Sequence, residues 1–460
     1  MGGFNFGYPS DDEIWEKISS DDVNSRVEGL LDAARKIGQR DNNPLQALNY
    51  LETARDLADE INDFVGMSHA YHLLGAMNAR LKKWDACAAA HEAGADAGKR
   101  SFRADLEIDH LAFAARAYMR LGDVAAVRRN FELAIGMASE SMTWSLTMMQ
   151  AEYGRFLRKQ GDLVLAREYL ESASTTEDPY TYARAASELV SVLLSNGEPS
   201  SALTVAREIF SMASYNDDDQ MRNKAAYGIA KALIGMELYE AALKEIEAII
   251  ESEASTMKHK VRVDLLRAQA LIGLSRVDSA LEVYARAIPL LSKFKLWEAL
   301  GEALVSRGLC HWNMGNVLDA EADVFAAIAA FEKAGADAWV SLSRLKLAEF
   351  MASRGEWSGV ALYSGLVVDN VLQMFSPWYP KALALSALAQ AQLGETASAL
   401  ELCAQLFAVK DLASDVAARG YHAQAIAFGG VKGRNLAAKA MKGYLAAGLV
   451  AEATAASALI

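Results

Sequence analysis

A few short segments carry residue types that could do chemistry. Residues 94–101, Gly-Ala-Asp-Ala-Gly-Lys-Arg-Ser, imitate a phosphate-binding loop, in which glycines let backbone N–H groups surround a phosphate. The spacing is one residue short of that motif and no strand pattern precedes it, so we interpret the segment as a helix end. Residues 429–434, Gly-Gly-Val-Lys-Gly-Arg, could hold an anion at a helix start or could form a loosened turn.

Cys87 and His91 are four residues apart, which places them on one helical face, where they could bind a metal ion together. The equivalent positions of another repeat, described below, hold the core residues Ala166 and Leu170, and this favours packing over metal binding. A zinc-protease helix would need a second histidine four residues after His91, where Ala95 stands. We therefore predict no cofactor, no metal site and no catalytic residue, and we do not expect an enzyme.

The composition limits the class of protein. The chain has 460 residues, 52% of them hydrophobic, with only 7 prolines and a net charge of −13. Abundant alanine favours helices because alanine loses no side-chain entropy on folding. Three scattered cysteines suit a reducing compartment rather than a disulfide framework, and neither a signal peptide nor a membrane-spanning segment is apparent. The sequence predicts a cytoplasmic helical protein with no membrane partner.

Six glycines interrupt amphipathic helical patterns, and each is followed by an acidic residue or by Asn. Glycine accepts the left-handed conformation that ends a helix, and the next side chain can cap the following helix. Each pair therefore predicts a tight turn between two helices. These glycines are Gly122, Gly161, Gly197, Gly315, Gly355 and Gly394.

A small residue lies five positions after each of these turns and recurs with a period near 40 residues. A second column of small residues lies twelve positions earlier and a third lies seven positions later. Small side chains on neighbouring helices allow close approach, so the pattern predicts stacked helical hairpins. The first column comprises Ala47, Cys87, Val127, Ala166, Ala202, Ala242, Ala280, Ala320, Val360 and Ala399.

These columns resemble the tetratricopeptide repeat, which has a small residue at its eighth position, glycine at its fifteenth and alanine at its twentieth and twenty-seventh. The resemblance covers about residues 28–410. It implies an all-α fold, a right-handed superhelical solenoid of about ten helical hairpins with terminal caps. The repeats run near 40 residues instead of the usual length of about 34, which predicts longer helices. The tryptophan of the fourth position is absent.

The predicted organisation has four parts. Residues 1–22 form an N-terminal leader, residues 23–410 the solenoid, residues 411–450 C-terminal capping helices and residues 451–460 a tail. A solenoid needs such caps because a terminal repeat otherwise exposes its apolar face. The apolar C-terminal end also offers a surface for homo-oligomerisation.

In the resembling family, ligands lie in a concave groove lined by the first helix of each repeat. The corresponding positions here carry many more basic than acidic residues, although the whole chain is acidic. Cations in the last turn of a helix also complement its dipole, which explains part of the enrichment without a ligand. The candidate ligand-binding residues are Lys36, Arg80, Arg116, Arg120, Arg155, Arg158, Arg184, Lys224, Tyr227, Lys231, Arg262 and Trp312.

A basic groove fits an acidic ligand. Arginine pairs with a carboxylate or phosphate through two hydrogen bonds, so we predict a protein–protein adaptor, scaffold or sensor that binds an acidic or phosphorylated peptide of a partner. The alternative is a regulator that binds a small anionic ligand or nucleic acid in the same groove. The acidic net charge and the few inward aromatic residues argue against nucleic acid.

From the seventh repeat onward the groove positions become apolar. Either they pack between helices, or they form an open hydrophobic site for an amphipathic helix next to the basic half. These positions are Leu265, Ile272, Val305, Leu309, Trp312, Leu342, Leu345 and Leu388.

Overall fold

The computed structural model describes residues 9–138, 143–253, 255–370 and 378–460. The first eight residues of the predicted leader therefore lie outside the described part. The described residues contain α-helices, one π-helical turn and no strand. None of the helices in the described part combines the length and the apolar character needed to cross a bilayer. The chain divides into two compact units, Met1–Tyr153 and Gly154–Ile460.

The first unit begins with α1 (Asp11–Ile18) and α2 (Val23–Arg35), which continues into the π-helical turn Lys36–Arg40. The rest of the unit consists of helices α3 to α7 and the beginning of α8. Their bounds are α3 Pro44–Glu60, α4 Phe64–Arg80, α5 Trp84–Arg100, α6 Ala104–Leu121, α7 Val124–Met137 and α8 Thr143–Gln160.

The second unit begins within α8 and contains the remaining helices in chain order. Their bounds are α9 Leu163–Ala173, α10 Pro179–Ser195, α11 Pro199–Tyr215, α12 Asp219–Gly235, α13 Tyr239–Glu251, α14 Met257–Gly273, α15 Val277–Lys293, α16 Trp297–Asn313, α17 Val317–Ala334, α18 Asp337–Ser353, α19 Trp357–Val368, α20 Tyr379–Gln392, α21 Thr396–Ala408, α22 Ser414–Phe428, α23 Gly430–Ala446 and α24 Val450–Ser457.

Helix length explains the long repeat. The helices α4 and α5 are 17 residues each. Three residues separate α4 from α5, and three more separate α5 from α6, so one hairpin with its connections occupies 40 residues. Most consecutive helices within each unit pack against each other. The all-α, helical-repeat solenoid fold is therefore confirmed, whereas its handedness, repeat number and domain boundaries remain predictions.

The predicted turn glycines all have positive φ angles, between 75° at Gly197 and 90° at Gly161. The predicted capping role of the next residue holds for the aspartates. Asp123 accepts a hydrogen bond from the Ala126 N–H at 2.9 Å, and Asp162 caps α9 in the same way. Asn316 and the three glutamates in this position make no such cap, so the capping prediction fails for them.

Turns without glycine use the same backbone conformation, which the glycine pattern alone did not reveal. Among them are Lys82, with a φ of 58°, and Phe102, with a φ of 57°. A non-glycine residue in the left-handed region costs roughly 1–2 kcal/mol, and the packing of the flanking helices offsets this cost. The turn geometry therefore depends on the helix packing as much as on the turn residue.

The small-residue columns lie at helix contacts, as predicted. Every member of the first column is buried, with exposures of 0% at Ala47 and 4% at Cys87. Residues 94–101, which imitate a phosphate loop, form the last turns of α5 and the residue after it, as interpreted from the sequence. Gly429 and Gly430 both have positive φ and connect α22 to α23.

Candidate functional site

A cavity of about 550 Å³ lies within the second unit. Its walls come mainly from α8, α10, α12, α14 and α16, with contributions from α11 and the turn before α16. The five main helices are the first helices of successive hairpins, which are the helices predicted to line the groove. Six of the predicted ligand-binding residues therefore come together around one cavity. They are Arg155, Arg158, Lys224, Tyr227, Lys231 and Arg262.

Cations outnumber carboxylates around this cavity. Its three acidic residues are Glu188, Glu298 and Glu302. Two of these three form ion pairs with cavity cations. Within the described part of the chain, the other cavity cations form no ion pair, although the charges of Arg262 and Lys231 still interact with cavity glutamates. The unpaired cations are Arg155, Lys224, Lys231, Arg262 and Lys295.

Arg158 joins two distant parts of the second unit. Its guanidinium contacts Glu188 on α10 at 3.2 Å and Glu298 on α16 at 3.0 Å. The Arg158 side chain is only 11% exposed, so these charge-assisted hydrogen bonds form largely away from water. Beside it, the Lys159 ammonium donates to the backbone oxygen of Ala334 at 3.1 Å. These contacts place the end of α8 next to the start of α16 and form one side of the cavity.

Glu298 is held in its charged form. Burial by itself raises the pKa of a carboxyl group, but the charges of Arg158 and Lys159, with a smaller contribution from Lys231, lower the pKa of Glu298 below its ordinary value. A deprotonated carboxylate therefore occupies part of the cation-rich surface. The Glu298 carboxylate is thus bound by Arg158 and Lys159, the same kinds of contact that a ligand carboxylate would make.

Tyr227 and Arg262 form the aromatic part of the wall. The Arg262 guanidinium lies 5.3 Å from the centre of the Tyr227 ring, which is cation–π geometry. Next to them, the His259 Nε2–H donates to the backbone oxygen of Asn223 at 3.3 Å. Burial, with the charges of Arg262 and Lys224, lowers the pKa of His259, while the bond to Asn223 opposes this shift. His259 is thus neutral near pH 7.

The other predicted residues lie elsewhere. In the first unit, Lys36 forms an ion pair with Asp11. Arg80 donates to the side-chain oxygen of Asn42 at 2.7 Å. Arg116 pairs with Glu152 at 2.8 Å. Arg120, Arg116 and the ring of Trp84 border a second cavity, described below.

Two predicted residues of the second unit do not line the cavity. Arg184 lies on α10 but outside the cavity wall. Trp312, predicted as an inward aromatic, stacks on Phe350 with ring centres 4.1 Å apart and packs against an interhelical core. Its role in the structure is packing.

Most of the apolar positions predicted from the seventh repeat onward pack between helices. Leu265, Leu345 and Leu388 are 2–5% exposed and belong to helix–helix cores. Ile272 and Val305 are half-buried and pack against the same core as Leu265. Apolar side chains gain more by burial between helices than by facing water, so ordinary packing accounts for these five positions. The open hydrophobic site itself stays a prediction.

Several cavity residues were missed by the sequence reasoning, among them three around the start of α16. Lys295 and Trp297 lie in and just after the turn before α16, and Glu298 follows directly. The groove positions of a repeat do not include its turns, and no local pattern indicates that this turn meets α8 more than a hundred residues earlier. Among the described residues there is no cluster of three or more His, Cys, Asp or Glu side chains arranged to hold a metal ion.

No family model matches this chain, and a search of curated proteins found no match. Among solved structures, it resembles a Signal Transduction ATPase with Numerous Domains from Pyrococcus horikoshii that has a tetratricopeptide repeat sensor. The TM-score is 0.51 at 16% identity, over 78% of this chain and 56% of that one. A Rap protein complexed with Competence and Sporulation Factor gives a TM-score of 0.48 at 14% identity, over 79% of this chain and 98% of that one.

A third similar structure, the Cut9-Hcn1 hetero-tetramer of the APC/C, gives a TM-score of 0.43 at 11% identity, over 94% of this chain and 89% of that one. Identities this low concern the fold alone. Of these three, the archaeal sensor has the highest TM-score and supports a shared helical-repeat architecture.

Proposed function

We propose that this tetratricopeptide-like helical-repeat protein is a non-catalytic sensor or adaptor that binds an acidic peptide segment of a partner in the cavity of its second unit. The observation that carries the proposal is the convergence of five unpaired cations, from α8, α12, α14 and the turn before α16, on one cavity. A peptide carboxylate would gain charge-assisted hydrogen bonds there that water alone does not offer.

The size of the cavity limits how much ligand it encloses. A volume of about 550 Å³ falls within the range of roughly 300–1,000 Å³ that is typical of small-ligand sites. It holds a few residues of a peptide, so the recognised element is a short acidic motif rather than a long segment. The same volume favours a small organic or inorganic polyanion as the second candidate ligand.

Calorimetric titration of the full chain with tetraglutamate tests the proposal. We expect binding by tetraglutamate and none by tetraglutamine, because the peptides differ only in charge. The Lys224→Gln/Lys231→Gln/Arg262→Gln variant should bind at least tenfold more weakly. A matched triple variant outside the cavity, Lys244→Gln/Lys258→Gln/Lys293→Gln, should bind as the unaltered protein does.

Further titrants distinguish the alternatives. Tripolyphosphate binding that the cavity variant abolishes, without tetraglutamate binding, would favour the small polyanion. Tight binding of a single-stranded RNA 20-mer with a steep salt dependence would favour nucleic acid. Equal affinity of tetraglutamate for the cavity variant and the control variant would contradict the cavity as the site.

A further inference from the structure

A second cavity, of about 400 Å³, lies within the first unit among α4, α5 and α6. Each helix lines the cavity with residues from one of its faces, which recur about once per helical turn. His72, Gly75, Ala76 and Ala79 come from α4. Trp84, Cys87 and His91 come from α5, and Phe113, Arg116, Ala117 and Arg120 come from α6.

Aromatic rings and small residues shape this cavity. The His91 ring stacks on the Phe113 ring with centres 5.1 Å apart, and the His72 ring meets Phe113 edge-on at 5.0 Å. The small residues of α4, among them Gly75 and Ala79, leave the space open. A cavity with aromatic walls and a small-residue floor suits a planar aromatic ring.

The hydrogen bonds of the neighbouring His110 ring determine which nitrogen of the His91 ring carries the proton. The Nε2 atom of His110 lies 3.1 Å from the backbone oxygen of Ser68, and because a carbonyl oxygen only accepts, this nitrogen carries the proton. The Nδ1 atom of neutral His110 then accepts from the Nδ1 of His91, 3.1 Å away. Burial lowers the pKa of His91 to about 3, so its ring is neutral. Its Nε2 is therefore an unprotonated acceptor.

The His91 ring packs against α4 at the cavity wall. A Cβ atom added to Gly75 would lie 2.3 Å from the His91 Nε2 and within 2.7 Å of two ring carbons, so the ring fits here because Gly75 has no side chain. Within the described part of the chain, His91 hydrogen-bonds to His110 through Nδ1, and this leaves Nε2 as the acceptor of a ring that lines the cavity.

A cation lies at the other end of the cavity. The Arg120 guanidinium is 5.7 Å from the centre of the Trp84 ring, is exposed, and forms no ion pair with a residue that the structure describes. Arg116, by contrast, is already paired with Glu152. Along α6 the seven residues from Phe113, beside His91, to Arg120 rise by roughly 10 Å.

We propose that this cavity binds a planar heteroaromatic carboxylate of the indole-acid type. Its ring lies between Phe113 and Trp84, its ring N–H donates to the Nε2 of His91, and its carboxylate pairs with Arg120. The rise of roughly 10 Å along α6 from Phe113 to Arg120 gives the length scale of the site, which suits an indole carrying a short acid side chain. The site is independent of the acidic-peptide cavity, since the two lie in different units.

The probe is indole-3-acetate, titrated calorimetrically into the full chain at pH 7. Two related compounds each remove one contact: 1-methylindole-3-acetate lacks the ring N–H, and 3-methylindole lacks the carboxylate. We expect both to bind at least tenfold more weakly than indole-3-acetate. The Arg120→Gln variant should lose at least tenfold for indole-3-acetate and nothing for 3-methylindole, while the control Arg80→Gln, at the end of α4 and outside the cavity, binds normally.

Four results would overturn the proposal. The first is no heat of binding by the unaltered protein up to about 1 mM indole-3-acetate. The second is equal affinity for indole-3-acetate and for 1-methylindole-3-acetate, which cannot donate a hydrogen bond to His91. The third is unchanged affinity of the Arg120→Gln variant for indole-3-acetate. Because the Arg120 side chain is exposed, we expect this variant to fold. Filling the cavity with Ala79→Leu should abolish binding, and retained binding there would equally place the ligand elsewhere.

Discussion

Arg158 and Glu298 are 140 residues apart in the sequence, yet their side chains are 3.0 Å apart in the structure. The pair links α8 to α16 and lies at the edge of the cation-rich cavity. A carboxylate of the chain thus occupies one of the places where a ligand carboxylate could bind.

Replacing Glu298 with Gln should have two opposite effects. It removes one partner of a guanidinium that is only 11% exposed, and because Glu188 remains we expect a loss of about 1–2 kcal/mol in unfolding free energy. It also frees Arg158 and Lys159 for an anion, so tetraglutamate should bind more tightly. Urea denaturation and calorimetry measure the two effects.

The matched control is Glu282→Gln on the exposed side of α15, which should change neither quantity. Lower stability together with weaker anion binding in Glu298→Gln would mean that the pair shapes the cavity instead of competing with its ligand.

The pH dependence of the first unit should reflect its buried histidines. Burial and neighbouring rings lower the pKa of His91 to about 3 and of His110 to about 4, from 6.5. The unfolded chain therefore binds more protons below pH 6.5. As the pH falls from 6.5 towards 4, each histidine should lower the unfolding free energy by about 1.4 kcal/mol per pH unit.

Proton NMR of the histidine rings provides the direct check. In the folded chain the C2 protons of these two rings should not titrate above pH 5, whereas an ordinary exposed histidine would shift near pH 6.5. Titration of either ring near pH 6.5 in the folded protein would contradict the buried neutral pair.

Gly75→Ala should destabilise the first unit. The added Cβ would meet the His91 ring at 2.3 Å, and α4 would have to move away from α5. We expect a loss of about 1–3 kcal/mol, typical of overpacking, and faster hydrogen exchange in both helices. Gly136→Ala on α7 is the matched control, since its Cβ meets nothing within 4 Å. There the alanine should stabilise the helix by up to about 1 kcal/mol, and an equal loss at both positions would argue against the close contact.

Trp312→Ala should lower stability without affecting anion binding. The ring stacks on Phe350 and lies outside the cavity lining, so its removal costs interhelical packing. The loss should be below the roughly 3–5 kcal/mol of a fully buried tryptophan, since Trp312 is half-buried. Unfolding by urea and tetraglutamate titration separate the two properties. Weaker tetraglutamate binding by a folded Trp312→Ala variant would mean that Trp312 takes part in ligand binding.

The repeat architecture was readable from the sequence because its determinants are local and recur. Gly122 and the other turn glycines adopt the predicted left-handed conformation, and small residues such as Ala47 and Ala166 are fully buried at helix contacts. Periodicity also assigned the first helices of the hairpins to the groove, which is why Lys224 and Lys231 could be predicted to lie together; both line the cavity.

The tertiary structure decided which of these cations share a site. Arg116 and Arg155 occupy equivalent positions in their repeats, so the sequence pattern treats them alike. In the structure, Arg116 pairs with Glu152, whereas Arg155 lines the cavity without an ion pair to a described residue. The proximity of Glu298 to Arg158 depends on the packing of the several helices between α8 and α16. Small angles between successive helices add up over many residues, so sequence spacing determines each hairpin, whereas the folded chain alone determines which distant side chains meet.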